Sequence, residues 1–295
     1  MADPSVNPAH APASILDIIT FGYKSAFKTL WPVSKLTLPW LLLYTLCQSY
    51  SAMQLAIIQT RVPQEIMAHM GWIAILALLF MPVFLYLHYG VARYVRDYFW
   101  TEPEGNSFRY LLPQKTVLGV LGIVLLTIVA SVPITIAGLI GLLFLIIPGL
   151  IIFTYFYSAS SLAYVNYLYQ PEQGVLESIF KPLRLLKGHF WRTVGLGFLS
   201  FLVLMIISGP LSVFQQVLSA MGKFNPSFMY SWLFYALYTV NMLVMVWFNL
   251  CIGYVGTLFI TNRYLADLQA RASEEIPLTL NVAGFPVAER QPMEP

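Results

Sequence analysis

LLFLIIPGLIIFTYFYSASSLAYVNYLYQPEQGVLESIFKPLRLLKGHFWR, residues 142–192, joins a long uncharged segment to a short basic, aromatic segment, after which another uncharged segment begins. Uncharged runs of this kind are typical of membrane-spanning helices, which need about 20 apolar residues to cross roughly 30 Å of hydrocarbon. The basic segment is typical of an amphipathic helix at the bilayer surface. Pro148 and Gly149 lie inside the first run and form a candidate hinge; the alternative is a packing kink.

The composition of the whole chain supports a membrane protein. Of 295 residues, 58% are hydrophobic and 10% are charged, whereas ordinary soluble domains carry about 25% charged residues. The net charge of +3 comes without a Lys/Arg-rich run, so we expect no nucleic-acid partner. The two cysteines, Cys47 and Cys251, lack metal-ligand spacing, and we expect no cofactor. We therefore predict an all-α fold, a polytopic transmembrane helical bundle.

Charge-free runs predict six spans. Charged residues bracket these runs at 35–61, 65–93, 115–172, 192–223 and 223–263, and the third run holds two spans with a tight turn near 133–141. Six spans put both termini on one side. The terminal segments and the connections on that side hold 14 of the 16 Lys and Arg residues. By the positive-inside rule, this bias predicts cytoplasmic N- and C-termini in a bacterial inner membrane.

The chain divides into three predicted parts. Residues 1–12 are rich in Pro and Ala and are expected to be disordered; they lack the features of a cleavable signal, so we expect the first span to remain in the mature protein. Residues 13–264 form the six-span membrane domain, with amphipathic interfacial elbow helices near 15–31 and 175–191. Residues 265–295 form a polar cytoplasmic tail, with a short helical extension at its start.

The two elbow segments align without gaps at an offset of 160 residues. The matched pairs are Leu16 with Leu176, Asp17 with Glu177, Ile19 with Ile179, Lys24 with Arg184, and Trp31 with Trp191. A weaker similarity links VARYVRDY (91–98), LAYVNYLY (162–169) and TNRYLADL (261–268). These patterns favour an internal repeat of three units, each an elbow followed by a helical hairpin. The alternative is a shared preference of interfacial segments for Trp, Tyr, Lys and Arg.

Two motifs carry a family resemblance: Ile-Ile-Pro-Gly at 146–149, and the elbow ending in Arg-Leu-Leu-Lys-Gly-His-Phe-Trp-Arg at 184–192. The stretch resembles the bacterial YciC-like inner-membrane protein family, which is related to the membrane domain found beside some glycerophosphodiester phosphodiesterases. The resemblance covers the fourth span to the start of the fifth, and it implies a helical inner-membrane protein without the phosphodiesterase domain. Pro182 stands where the family's elbow usually has a small polar residue, so the elbow helix is expected to begin or kink there.

Polar residues in the predicted spans are few. No Asp, Glu, Lys or Arg lies within a predicted span, which disfavours ion-coupled transport and proton relays. Motifs for intramembrane hydrolysis are also missing, so we expect no enzymatic activity and no catalytic residues. Gln48, Gln54, Gln216 and Asn241 are candidates for lining a polar cavity. The alternative is hydrogen bonding between helices, worth about 0.6 kcal/mol for each bond.

The basic residues of the second elbow, near 175–191, are candidates for contacts with anionic lipid headgroups. Lys181, Arg184, Lys187 and Arg192 lie within 12 residues of one another, and each base near an anionic surface contributes about 1 kcal/mol. The alternative is anchoring of the topology, with Trp191 at the interface. The expected partners are membrane lipids, another membrane protein, or a second copy of the chain.

These observations predict a non-enzymatic integral inner-membrane protein that acts in envelope homeostasis through association with lipids or a membrane complex. The alternative is a permease-like transporter of an uncharged or lipidic substrate.

Overall fold

The computed structural model describes residues 13–58, 63–101, 107–112, 116–144, 146–229 and 231–282. Within these ranges the chain is helical and contains no strand. The helices are α1 (Ile15–Lys28), α2 (Leu30–Ile58), α3 (Pro63–Trp100), α4 (Thr116–Phe144), α5 (Ile146–Tyr169), α6 (Gly174–Leu186), α7 (Phe190–Phe224), α8 (Pro226–Met229), α9 (Trp232–Phe248) and α10 (Val255–Val282), with 3-10 segments at Ser107–Leu111 and Pro171–Gln173 and a π-helical segment at Asn249–Tyr254.

Three helical segments of the described chain are long and apolar enough to cross a membrane. They are Thr116–Gly141, Phe190–Leu218 and Trp232–Ala272, and the last runs through α9, the π segment and α10. Each segment is longer than the about 20 apolar residues that a helix needs to cross the hydrocarbon of a bilayer. The helical fold and these spans agree with the prediction of a helical membrane protein.

The first elbow, α1, has a well-defined start. Ser14 caps the helix, since its Oγ accepts from the Asp17 amide at 3.2 Å, while the Asp17 carboxylate accepts from the Ser14 amide at 3.2 Å. This is a capping box, which satisfies two amides that the first turn leaves unpaired. The hydrogen bonds from Ser14 lower the pKa of the Asp17 carboxyl. Helix α1 ends at Lys28, so Trp31, predicted at the end of the elbow, belongs to the first turn of α2.

The second elbow, α6, starts eight residues before Pro182. Of the two expectations for Pro182, a helix start is therefore wrong, and a kink stays a prediction. Proline has no amide proton, so it frees the carbonyl of the residue four positions earlier, here Ser178. The Asn166 amide group donates to that carbonyl at 3.4 Å from α5. A buried side chain of the neighbouring helix thus replaces the missing intrahelical bond.

Helices α4 and α5 form a hairpin whose break lies after Phe144. The turn expected near 133–141 is wrong, because α4 continues through Pro133. In lipid, a loop would expose several unpaired backbone groups, whereas a proline inside a helix frees only one carbonyl. Continuing the helix therefore costs less than turning at Pro133.

The buried core gathers at one end of the bundle, where α1 packs against α10 and the C-terminal parts of α3 and α5 meet them. The three similar segments at 91–98, 162–169 and 261–268 supply 11 of the 30 buried hydrophobic residues of this core. Asp267 and Leu268, at the start of the predicted tail, are buried within it.

Candidate functional site

A cavity of about 860 Å³, the central cavity, lies between α3, α4, α5 and α10. This volume falls in the range of small-molecule sites. Among the described residues that line it, none is Asp, Glu, Lys or Arg. Its polar groups are His88 and the hydroxyls of Tyr86, Tyr89, Thr127, Tyr157, Ser160, Ser161, Tyr164, Tyr254, Thr257 and Thr261. The cavity is therefore apolar with a set of uncharged hydrogen-bonding groups.

Two tyrosines tie the cavity wall to the segment that precedes α4. The Tyr86 hydroxyl donates to the Leu111 carbonyl at 2.8 Å, and the hydroxyls of Tyr89 and Thr116 share a hydrogen bond. A buried tyrosine hydroxyl is costly unless it has a partner. These bonds fix the end of the cavity that faces the 3-10 segment Ser107–Leu111.

The π-helical segment Asn249–Tyr254 contributes one residue, Tyr254, to the cavity wall. Its last residue, Tyr254, donates to the His88 carbonyl at 3.2 Å, and its ring lies 4.6 Å from the His88 ring. Wide turns of this kind occur frequently at functional sites, since they re-aim side chains. Here the wide turn ends at a tyrosine that lines the cavity.

A second apolar space of about 580 Å³, the elbow groove, lies between α4, α5 and α6. Aliphatic and aromatic side chains of the three helices line it, including Leu176, Ile179, Phe180 and Leu183 of α6. Thr127 and Ser160 line both the groove and the central cavity. The two spaces are therefore neighbours that meet between α4 and α5.

The candidate hinge lies at the start of α5. Pro148 is the third residue of that helix, a position where the missing amide removes no intrahelical hydrogen bond. Gly149 packs against Gly141 of α4: a Cβ on Gly141 would lie 3.0 Å from the Gly149 nitrogen. This close approach matches the packing alternative for the pair, and the hinge stays a prediction.

Three of the candidate headgroup-binding bases lie on α6 or at its end. Lys181 donates to the Gln170 side chain at 2.8 Å. Arg184 lies 3.6 Å from the Glu177 carboxylate, with 75% of its side chain exposed. Lys187 caps the end of the helix and is exposed. An exposed pair of this kind contributes little to stability, so these bases remain available to anionic headgroups.

Arg192 differs from the other three bases. Its guanidinium lies 2.9 Å from the carboxylate of Asp267, which is completely buried, and it donates to the Ala13 carbonyl. Asp267 also accepts from the Ala13 amide at 3.0 Å and pairs with Arg271 at 3.2 Å. Arg192 therefore joins α7 to α1 and α10, and its charge is already compensated inside the protein.

The structure describes the side chains of three of the four candidate polar-cavity residues. Gln48 is half-buried on α2, Gln216 is exposed on α7, and the Gln54 side chain lies outside the described residues. Asn241 is buried on α9 and donates to the Gln215 side chain at 2.6 Å. Neither the central cavity nor the elbow groove is lined by Gln48, Gln216 or Asn241. The bond of Asn241 is an interhelical hydrogen bond, as the alternative proposed.

Sequence reasoning missed the residues that form the central cavity. A run of small residues, Ser-Ala-Ser-Ser at 158–161, gave a signal, because small side chains leave space between helices. It also missed Arg93, which is 5% exposed, donates to the Leu112 carbonyl at 3.1 Å and lies over the Tyr89 and Tyr110 rings. Within the described chain Arg93 contacts the backbone carbonyls of Tyr110 and Leu112 and the faces of the Tyr89 and Tyr110 rings, which stabilise its positive charge.

No protein-family model, no curated protein and no solved structure matches this chain. Its function must therefore be argued from the geometry and chemistry of its own residues.

Proposed function

We propose that this protein is a non-enzymatic integral inner-membrane protein that binds membrane lipids and acts through them in envelope homeostasis. The observation that carries the proposal is the pair of adjoining apolar spaces, of about 860 Å³ and 580 Å³, beneath an elbow helix with exposed basic residues. Apolar concave sites with a few polar groups are the usual form of a small-molecule site. Lipid tails are the apolar molecules that surround this protein.

The proposal includes six spans built from a repeat of elbow-plus-hairpin units. Helices α2 and α7 begin 160 residues apart, at Leu30 and Phe190, which is the offset that aligns the two elbows. Burial follows the same offset. Leu16 and Leu176, and Trp31 and Trp191, are exposed, whereas Ile18 and Ser178, Gly22 and Pro182, and Ala26 and Leu186 are buried.

A residue near the end of each hairpin also makes a hydrogen bond with the backbone of an elbow segment from another unit, which supports a division into three units. The three contacts are Arg93 to the Leu112 carbonyl at 3.1 Å, Asn166 to the Ser178 carbonyl at 3.4 Å, and the Ala13 amide to Asp267 at 3.0 Å. In this arrangement the third hairpin returns to the first elbow. Such a closed order is expected when similar units pack around one core.

The proposal keeps the YciC-like family assignment, the bacterial inner membrane and the cytoplasmic termini. The half-buried Lys181 and the exposed Arg184 and Lys187 support the orientation, because cytoplasmic segments near span ends carry excess Lys and Arg. A reporter that is active only in the cytoplasm should therefore be active when it is fused after residue 295. Activity of a fused reporter that works only on the outer side of the membrane would contradict this orientation.

A permease-like transporter of an uncharged or lipidic substrate is the second candidate. The uncharged lining of the central cavity favours it, since a charged substrate would lack compensation there. Reconstituted vesicles separate the two candidates. A lipid-binding protein leaves the movement of a fluorescent uncharged lipid between leaflets at the protein-free rate, whereas a transporter raises it.

The proposed function is tested by extracting and quantifying the lipids and proteins that copurify from native membranes under mild conditions. We expect one lipid class to be enriched about tenfold over its share of the bulk membrane, which corresponds to about 1.4 kcal/mol of preference. A stoichiometric protein partner without any enriched lipid would contradict lipid binding. That result would make the protein a subunit of a membrane complex.

A further inference from the structure

The central cavity excludes charged headgroups. The described part of its lining holds no charged residue. The basic residues Lys181, Arg184 and Lys187 of the second elbow line neither the cavity nor the groove. An ion without a partner in such surroundings is strongly disfavoured. A molecule that enters the cavity completely therefore has an uncharged head.

The junction of the two spaces carries hydroxyls that are free to bind a ligand. Thr127 and Ser160 line both spaces, and Ser161, next to Ser160 in the chain, lines the cavity. The hydroxyls of these three residues take part in none of the hydrogen bonds found among the described residues. By contrast, Thr257 and Thr261 donate to carbonyls of their own helix at 2.9 and 2.8 Å. A hydroxyl both donates and accepts, so this junction suits a head that carries hydroxyl and carbonyl oxygens.

Helices α4 and α5 touch closely at two levels. A Cβ on Gly119 would lie 1.7 Å from the Tyr167 hydroxyl oxygen, and a Cβ on Gly138 would lie 2.4 Å from the Phe153 ring. Glycine permits such close approach between membrane helices. Thr127 and Ser160, which line both spaces, lie between these two levels, whereas Val117, Ile151 and Ile152 line one of the spaces from beyond them. We call the part of α4 and α5 around Thr127 and Ser160 the window.

The window lies deep in the proposed membrane. Thr127 stands about 16 Å along α4 from its first residue, at 1.5 Å per residue. This is about half of the roughly 30 Å hydrocarbon thickness. Two apolar spaces that share one polar junction match a lipid with two acyl chains joined at a small head: one chain occupies each space, and the head lies at the window.

We propose that the two spaces together bind one diacylglycerol, with its glycerol hydroxyl and ester oxygens at Thr127, Ser160 and Ser161, and that the lipid enters sideways from the bilayer between α4 and α5. This inference rests on the proposed lipid-binding function and adds the class of lipid and its route. An anionic phospholipid has the same two chains, but its phosphate would be buried without a cation. An isoprenoid quinone has one chain and fills only one space.

The test compares binding of radiolabelled dioleoylglycerol, dioleoylphosphatidylglycerol and ubiquinone to the full-length protein in phosphatidylcholine nanodiscs. Four proteins are compared: wild type, Thr127→Trp, Ser160→Trp and the control Val129→Trp. Val129 lies two residues from Thr127, is 68% exposed and lines neither space. We expect wild type and Val129→Trp to bind dioleoylglycerol at least about tenfold more tightly than the other two lipids, a preference of about 1.4 kcal/mol. Both window variants should lose that binding.

A variant without added bulk guards against misfolding of the tryptophan variants. Ser160→Ala with Ser161→Ala removes two hydroxyls and almost no volume, and we expect it to weaken dioleoylglycerol binding severalfold while the protein elutes as wild type. Preference for phosphatidylglycerol or ubiquinone would overturn the lipid class and leave lipid binding intact. Unchanged binding in folded window variants and in the double alanine variant would overturn the site. Retention of no lipid by wild type would overturn the proposed function as well.

Discussion

The completely buried carboxylate of Asp267 makes the sharpest prediction for stability. It pairs with Arg192 at 2.9 Å and Arg271 at 3.2 Å, and it accepts from the Ala13 amide at 3.0 Å. The start of α1 is thereby fastened to α7 and α10. Replacing Asp267 with Asn removes the charge and keeps an oxygen that can accept from Ala13.

The expected cost follows from the burial of the partners. Removing one member of a buried ion pair costs about 3–5 kcal/mol, because the other charge is left without compensation. Arg192 is 19% exposed and Arg271 is 29% exposed, so water relieves part of that cost. We therefore expect about 3 kcal/mol for Asp267→Asn, at the lower end of that range, which is a factor of about 150 in an opening equilibrium.

Hydrogen exchange of the α1 amides in nanodiscs measures this effect. In Asp267→Asn, these amides should exchange about 100-fold faster than in wild type, since opening of α1 follows the lost free energy. Glu177→Gln is the matched control at the other elbow, because its pair with Arg184 is exposed and contributes less than about 1 kcal/mol. Exchange in Asp267→Asn within a few-fold of wild type, or equal effects of the two variants, would refute the reasoning.

Two further predictions concern α4 and α1. Gly119→Ala should destabilise the protein by about 1–3 kcal/mol in thermal unfolding, because its new methyl group meets the Tyr167 hydroxyl. Gly122→Ala is the control: the nearest atom to its new methyl group is 3.6 Å away, so it should not destabilise the protein. The depressed pKa of Asp17 comes from its hydrogen bonds with Ser14. The ionised Asp17 carboxylate therefore stabilises the folded protein above the unfolded-state pKa, and this stabilisation is lost as the pH falls through the lower folded-state pKa. Protection of the α1 amides should fall at acid pH in wild type and stay flat in Asp17→Asn.

Element types could be predicted from the sequence because their signals are local. The apolar stripe of 15–31 indicates an amphipathic helix, and charge-free runs indicate helices long enough to span a bilayer. Helix ends were less accurate: α1 stops at Lys28, where the backbone of Thr29 leaves the helical conformation, with φ −91° and ψ 4°. Pro133 led to the wrong prediction of a turn near 133–141. Proline marks a break in water, whereas a membrane helix continues through it.

The central cavity could not be predicted, because it depends on which faces of four helices meet. Thr127 and Ser160 are far apart in the chain, and neither position has a periodic signature. Asp267 was assigned to a solvated tail because it precedes a polar run. Its partner Arg192 and the Ala13 amide come from 75 and 254 residues away, and local sequence carries no information about such pairs.

The central claim is that the two adjoining spaces hold a membrane lipid. A cryo-electron microscopy map of the full-length protein in nanodiscs made from native membranes tests it directly. If a lipid occupies both spaces, we expect forked, elongated density with one branch in the central cavity, one in the elbow groove and the junction beside Thr127 and Ser160. A well-resolved map in which both spaces are empty or filled by protein side chains would contradict it.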